Sequence, residues 1–163
     1  MEKTVQIINL SVISQQTVQN ACSTIGILHA IGNAITQGVS VKEGSYLDGF
    51  LKRTKEGSMS PDEIAAALEN DSHLSSMHEE ATRHGQSSRP DAEEEVTTHF
   101  VCFSEVDGDL YELDGRKSFP INHGPIQSNL LKEATRVIRC GFMDKDPEEL
   151  RFTILALAKS LQM

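Results

Sequence analysis

The chain has 163 residues, of which 38% are hydrophobic and 24% are charged, a balance ordinary for one globular domain with its own core. Its net charge of −9 argues against nucleic acid as a partner, and three cysteines without paired spacing argue against a disulfide framework. No apolar run is long enough to span a bilayer and the start lacks a signal-peptide pattern, so we expect no membrane partner. Cytoplasm, and also nucleus, is the expected location.

The first predicted helix begins close to Cys22. Asn20 is suited to cap it, and apolar residues then cover most of its circumference, as in a buried helix. These residues are Ile25, Ile27, Leu28, Ala30, Ile31, Ala34 and Ile35. Backbone N–H groups and the helix dipole favour a thiolate in the first turn, which makes Cys22 a candidate nucleophile. A free cysteine is more often a buried small hydrophobe, and for Cys22 taken alone this alternative stays open.

Further helices are predicted in the first half of the chain, and strands in the second. Residues 45–55 have helical spacing, and Ser60 to Glu63 form a capping-box pattern with Pro61 at the first helical position. The stretch 83–95 is polar and acidic, which is typical of a flexible linker. Strands are predicted around 97–104, 109–113 and 150–157, with a helix near 127–140. No zinc-ligand or phosphate-loop spacing is present, so no metal and no cofactor are predicted.

A base for Cys22 can come from six histidines. His29 lies two helical turns away on the same face, roughly 10 Å along the axis and beyond hydrogen-bond reach, so we expect it to be a packed helix residue. Four others fall in polar or turn-like segments and are expected to be solvated: His73, His78, His84 and His123. His99 remains, at the head of a predicted strand.

The run Val106-Asp107-Gly108-Asp109 predicts a β-hairpin that brings an aspartate to His99. If Asp107 and Gly108 form a two-residue turn, Asp114 becomes the diagonal, same-face neighbour of His99, roughly 7–8 Å away between backbone positions. An aspartate at that place can orient the imidazole. Two alternatives stay open, because a three-residue turn would move Asp114 to the opposite face, and an aspartate before glycine often only stabilises a local turn.

Three segments resemble the ubiquitin carboxyl-terminal hydrolases of the UCH type. Gln16 to Ala30 resembles their active-site segment, His99 to Gly124 their histidine and aspartate segment, and Asp146 to Phe152 the entry to their C-terminal strand. The resemblance implies an α/β (α+β), papain-like fold, with a central antiparallel β-sheet flanked by helices and the nucleophile at a helix N-terminus. It implies a single catalytic domain over residues 1–163, in which 83–95 is a crossover loop that limits the size of the leaving group.

The same resemblance implies a site and an activity. Cys22 would be the nucleophile, His99 the general base and acid, Asp114 the orienting residue, and Gln16 a donor in the oxyanion hole. The implied activity is that of a thiol protease and deubiquitinase of the ubiquitin conjugation pathway. It would cleave small adducts or peptides from the C-terminal glycine of ubiquitin through a Cys22 thioester. The expected partner is ubiquitin or a ubiquitin-like modifier, and the expected state is a monomer.

One departure from the family pattern lies before Gln16. Only fifteen residues precede it, whereas the family carries several dozen more there, which supply a strand and part of the ubiquitin-binding surface. We therefore expect part of the N-terminal sheet to be missing, which leaves a sheet edge unpaired and apolar surface uncovered. The alternative to an active hydrolase is accordingly an N-terminally truncated, weak or inactive family member that acts as a ubiquitin-binding protein.

Overall fold

The computed structural model describes residues 22–56, 59–84, 99–117 and 119–158. Helices α1 (Cys22–Thr36), α2 (Tyr46–Glu56), α3 (Pro61–Glu69) and α4 (Ser72–His84) come first. Strands β1 (Cys102–Val106), β2 (Asp109–Leu113) and β3 (Ile121–Pro125) follow, then helix α5 (Leu130–Gly141) and a 3₁₀ turn at Met143–Lys145. Within these ranges the strands form one antiparallel sheet in the order β1-β2-β3, so the predicted class, α/β with an antiparallel sheet and flanking helices, is confirmed.

Helices α1 to α4 pack around one apolar cluster. Its buried members are Ile25, Leu28, Phe50 and Leu68. Cys22 lies in the first turn of α1, as predicted, but α1 is not buried all round, because Ile27 is 59% exposed. Among the described residues, no helix is long and apolar enough to cross a bilayer.

Local capping signals fix where two of the helices begin. The Ser60 hydroxyl accepts a hydrogen bond from the Glu63 backbone N–H, and the Glu63 carboxylate accepts one from the Ser60 backbone N–H. This is the predicted capping box of α3. The side chain of Asn129 accepts from the backbone N–H of Lys132 and caps α5, which starts three residues later than predicted.

The β1–β2 hairpin has the predicted register. Val106 faces Asp109 and Cys102 faces Leu113, with only Asp107 and Gly108 in the turn. Both turn residues have positive φ, 50° and 88°, as a type I′ turn requires. Glycine reaches such angles without strain, and aspartate is among the residues that tolerate them best. Helix α5 covers this hairpin through a second core cluster that contains Leu110, Ala134 and Val137.

Two predicted strands differ from the structure. The first begins at Cys102 rather than at 97, so His99 precedes β1 and has no regular structure. The last, at 150–157, is wrong, since residues 149–158 are assigned no strand. Its apolar pattern is suited to a strand, but a strand also needs a hydrogen-bonded neighbour. Within the part of the chain that the structure describes, this segment has none, and Leu150 and Leu155 are exposed to solvent, 84% and 85% respectively.

Candidate active site

His99 and Asp114 form a close pair at the open end of the hairpin. Nε2 of His99 lies 2.5 Å from Oδ1 of Asp114. Both side chains are mostly buried, with 16% of His99 and 10% of Asp114 exposed. The contact that the hairpin register predicts is therefore present, although His99 reaches it from an irregular segment rather than from a strand.

The loop that follows Asp114 holds its carboxylate in place. Oδ1 also accepts a hydrogen bond from the backbone N–H of Arg116 at 2.9 Å, and Nζ of Lys117 lies 4.0 Å from Oδ2. Burial by itself would raise the pKa of Asp114. Hydrogen bonds from His99 and Arg116, together with the charges of His99 and Lys117, outweigh burial and lower that pKa below its usual value. Asp114 is thus an anion at neutral pH.

An ionised aspartate on Nε2 determines what the imidazole can do. A carboxylate only accepts hydrogen bonds, so the neutral imidazole keeps its proton on Nε2. Proton transfer to and from a reacting group then falls to Nδ1 of His99. The charge of Asp114 also stabilises the imidazolium that forms when Nδ1 takes a proton, which is the orienting role of the acid in hydrolase triads.

Two glycine positions show that this pair lies against the first turns of α1. A Cβ placed on Gly115 would be 3.8 Å from Cγ2 of Ile25, and one placed on Gly26 would be 3.8 Å from Cβ of Phe100. The segments that carry Asp114 and His99 therefore both touch α1. Ile25 and Gly26 are the third and fourth residues after Cys22, so all three positions lie on one face of the helix.

Not all of the predicted site lies within the described residues. Cys22 begins α1, but its side chain lies outside them, and so do Gln16 and most of the predicted loop 83–95. The N-terminal residues on which the missing-sheet expectation bears are also outside the described ranges. The side chains of His78 and His84, predicted to be solvated, also lie outside the described residues. The roles of Cys22 and Gln16 stay predictions.

The remaining cysteines and histidines differ from the candidate site. Cys102 is buried, and burial raises the pKa of its thiol, which makes it a poor nucleophile. Cys140 is exposed on α5. His29 is only 1% exposed, so its prediction as a packed helix residue is confirmed. His123, predicted to be solvated, is instead half-buried, with Nε2 2.9 Å from Oε2 of Glu112.

Sequence reasoning missed Glu112 as a buried charge. It lies on β2 and is 3% exposed, with Lys117 and His123 on its two oxygens. A signal was available in the hairpin register, because Glu112 shares a strand face with the buried Leu110 and therefore had to be buried and paired. Among the described residues, no three His, Cys, Asp or Glu side chains gather in a way that could hold a metal ion.

Comparison with known proteins relates the whole arrangement to one family. Residues 6–143 match the family model described as ubiquitin carboxyl-terminal hydrolase, family 1. The chain is 47% identical over 146 residues to ubiquitin carboxyl-terminal hydrolase 3 of Arabidopsis thaliana, a match that covers 89% of this chain and 59% of that protein. It is 38% identical over 147 residues to ubiquitin carboxyl-terminal hydrolase isozyme L1 of Homo sapiens, covering 90% and 63%. The chain thus spans about three-fifths of the length of these curated relatives.

A solved structure shares the fold. It is the Trichinella spiralis UCH37 catalytic domain bound to ubiquitin vinyl methyl ester, which superposes with a TM-score of 0.60 at 23% identity. The match covers 85% of this chain and 59% of that one. At that identity the likeness supports the architecture rather than the activity.

Proposed function

The chain belongs to family 1 of the ubiquitin carboxyl-terminal hydrolases, and on that premise we propose that it is a cysteine-type deubiquitinase. It cleaves small adducts or short peptides from the C-terminal glycine of ubiquitin. The observation that carries the proposal is the His99–Asp114 pair, which lies against the helix face that continues from Cys22. Nucleophile, base and orienting acid are the three parts that a thiol hydrolase requires.

In the proposed mechanism, the Cys22 thiolate attacks the carbonyl carbon of the C-terminal glycine. The first turn of α1 favours the thiolate through its unpaired N–H groups and its dipole. Nδ1 of His99 takes the thiol proton and passes it to the leaving amine, while Asp114 holds the opposite ring nitrogen. A thioester remains on Cys22, and a water activated by His99 hydrolyses it and releases ubiquitin.

The developing oxyanion needs donors, and the proposal assigns them to the backbone N–H of Cys22 and the side-chain amide of Gln16. The position of Gln16 six residues before the nucleophile supports its role. Losing one such donor typically costs about 2.7–4 kcal/mol of transition-state stabilisation.

The proposal includes the partner and the setting. Ubiquitin or a ubiquitin-like modifier is the substrate, and residues 83–95 act as a crossover loop that restricts the leaving group. The net charge of −9 is suited to a basic partner segment. We further propose that residues 1–163 form a single catalytic domain and that the protein is a monomer. Its role would lie in the ubiquitin conjugation pathway, in the cytoplasm and the nucleus.

A second candidate is a family member that binds ubiquitin without turning it over. The exposed apolar stretch 150–157 favours it, since Leu150, Leu155 and Leu157 lie in a segment that pairs with no strand among the described residues. An uncovered apolar segment of this kind is suited to binding another protein and less suited to a rigid catalytic domain.

Reaction with ubiquitin vinyl methyl ester separates the two candidates. We expect the wild-type chain and Cys140→Ser to form a covalent adduct, detected by mass spectrometry, and Cys22→Ala to form none. Circular dichroism establishes that each protein is folded. If the folded wild-type chain gives no adduct but binds ubiquitin, the enzyme proposal is rejected and the second candidate, a ubiquitin-binding protein, is supported.

A further inference from the structure

A second charged cluster lies next to the His99–Asp114 pair and has no part in the proposed mechanism. It consists of Glu112 on β2, His123 on β3 and Lys117 in the loop between them. Oε1 of Glu112 accepts a hydrogen bond from Nζ of Lys117, and Oε2 lies 2.9 Å from Nε2 of His123. A carboxylate as deeply buried as Glu112 stays ionised only if cations or donors replace its lost hydration. Lys117 and His123 are placed to do this.

Lys117 connects this cluster to Asp114. Its Nζ contacts Glu112 and also lies 4.0 Å from Oδ2 of Asp114, and its backbone N–H donates to the carbonyl oxygen of Asp114 at 2.9 Å. The side chain of Lys117 is 38% exposed. Its ammonium group lies between Glu112 and Asp114, which are successive residues on one face of the strand and its extension. It therefore constrains both the position and the charge of the carboxylate that contacts His99.

We propose that Glu112, Lys117 and His123 are positioning residues for the His99–Asp114 pair. Lys117, anchored by Glu112 and indirectly by His123, keeps the carboxylate of Asp114 on Nε2 of His99 and sets the local charge that the imidazole experiences. None of the three contacts the reacting atoms in this scheme; they act through Asp114. The catalytic meaning of the inference rests on the proposed function, whereas the electrostatic coupling does not.

The other titratable groups near the pair are few. Helix α1, which packs on β1, carries Cys22 and His29, and β1 carries Cys102 and Glu105. The side chain of Arg116 in the loop is exposed. On α5 the cations Lys132, Arg136 and Arg139 are exposed, and Glu133 pairs with Arg136. Among the described residues, the cluster is therefore the charged group whose contacts lead to the pair.

Two substitutions should move the ionisation of His99 in opposite directions. Glu112→Gln removes a negative charge and leaves Lys117 uncompensated, which disfavours the imidazolium and lowers the pKa of His99. Lys117→Met removes a positive charge and leaves Glu112, which favours the imidazolium and raises that pKa. Each shift should be about half a pH unit or more for a charge at this range. Lys117→Arg keeps the charge and should shift it little.

The experiment titrates the His99 ring by NMR in the full chain and measures the pH profile of kcat/KM on a fluorogenic ubiquitin amide. The alkaline limb should move to lower pH in Glu112→Gln and to higher pH in Lys117→Met. KM should change less than kcat, because the cluster acts on the chemical step. The matched controls are Glu133→Gln and Arg136→Met, which alter the exposed pair on α5 and should shift neither readout.

Opposite shifts, with Lys117→Arg close to wild type, would support the positioning role. Equal shifts, shifts of the same sign or none would overturn it. If Glu112→Gln does not fold, Lys117→Met against Lys117→Arg decides the same question. A wild-type chain that turns over no ubiquitin amide would remove the proposed function, and the NMR titration would still confirm or reject the coupling between the cluster and His99.

Discussion

Two acid–histidine pairs, with their acids two residues apart at the end of β2, look alike but differ in their surroundings. Asp114 contacts His99 at 2.5 Å, and Glu112, two residues earlier, contacts His123 at 2.9 Å. The first pair lies against the first turns of α1, where the sequence has Cys22. The second lies between β2, β3 and the loop, and its acid also binds Lys117. A short carboxylate–imidazole contact is therefore not by itself evidence of catalysis, because what lies beyond the pair determines its chemistry.

The largest expected difference between the pairs is in turnover. His99→Asn should lower kcat on a fluorogenic ubiquitin amide by about 10²–10⁴-fold, the usual contribution of general acid–base catalysis. His123→Asn acts only through the positioning cluster and should lower it by less than about tenfold. His73→Asn, on the exposed side of α4, serves as the unaffected control. Equal losses for His99 and His123 would mean that the two pairs have been assigned the wrong roles.

For stability we expect the second pair to matter more than the first, because Glu112 is buried more deeply than Asp114. The double variant Lys117→Met/His123→Asn removes both partners of a buried carboxylate and should lower the free energy of unfolding by about 3–5 kcal/mol, measured by urea denaturation. Adding Glu112→Gln to that double variant should recover part of the loss. Arg136→Met, which breaks an exposed pair, should cost less than about 1 kcal/mol. If the double variant lost no more stability than Arg136→Met, the carboxylate of Glu112 would not be a buried charge.

A smaller effect concerns acid pH. Because the folded-state pKa of Asp114 lies below its usual value, near 3.9 in an unfolded chain, the ionised group contributes stability above that value. The contribution is lost as the pH falls through the folded pKa. The stability of Asp114→Asn should therefore fall less steeply than that of wild type below about pH 4, in urea unfolding at several pH values. Parallel curves for the two proteins would show that Asp114 is not ionised in the pair.

The smallest expected effect comes from the hairpin turn, and it should reach both acid–histidine pairs. Gly108 has φ of 88° in the hairpin turn, so Gly108→Ala introduces strain and should lower the free energy of unfolding by about 1 kcal/mol. The comparison variant is Gly38→Ala. Gly38 also has positive φ, but its turn is far from the hairpin in sequence. Only Gly108→Ala should also alter the NMR titrations of both His99 and His123. A change confined to one histidine would show that the turn does not set a common register.

How far the sequence predicts this molecule depends on how local each signal is. The Asp107-Gly108 turn and the Ser60 capping box involve residues close together in the chain, and both are confirmed. The strand at 150–157 was predicted from its own composition, but its existence depends on a distant partner that composition does not encode.

The candidate site divides in the same way. The contact between Asp114 and His99 follows from hairpin register, so it could be predicted. Glu112 pairs with a loop residue and with β3, whose register has an irregularity between Asp109 and Tyr111, and His123 was therefore wrongly predicted to be solvated. A histidine in a turn-like sequence segment can become half-buried once its strand joins a sheet. The role of Gln16 rests on motif position alone, and that of Cys22 on motif position and on its place in the first turn of α1.

The two-residue turn also has a consequence for the order in which the site assembles. His99 and Asp114 are 15 positions apart and joined by one hairpin, whereas α2, α3 and α4 lie between α1 and the hairpin. Hairpins close within microseconds and contacts between distant segments form more slowly, so we expect the acid–base pair to be present before α1 docks. A folding φ-value near one at the turn, and lower values along α1, would support this order. Translation would reach the two parts in the opposite sequence, with the helix emerging from the ribosome long before the hairpin that it needs.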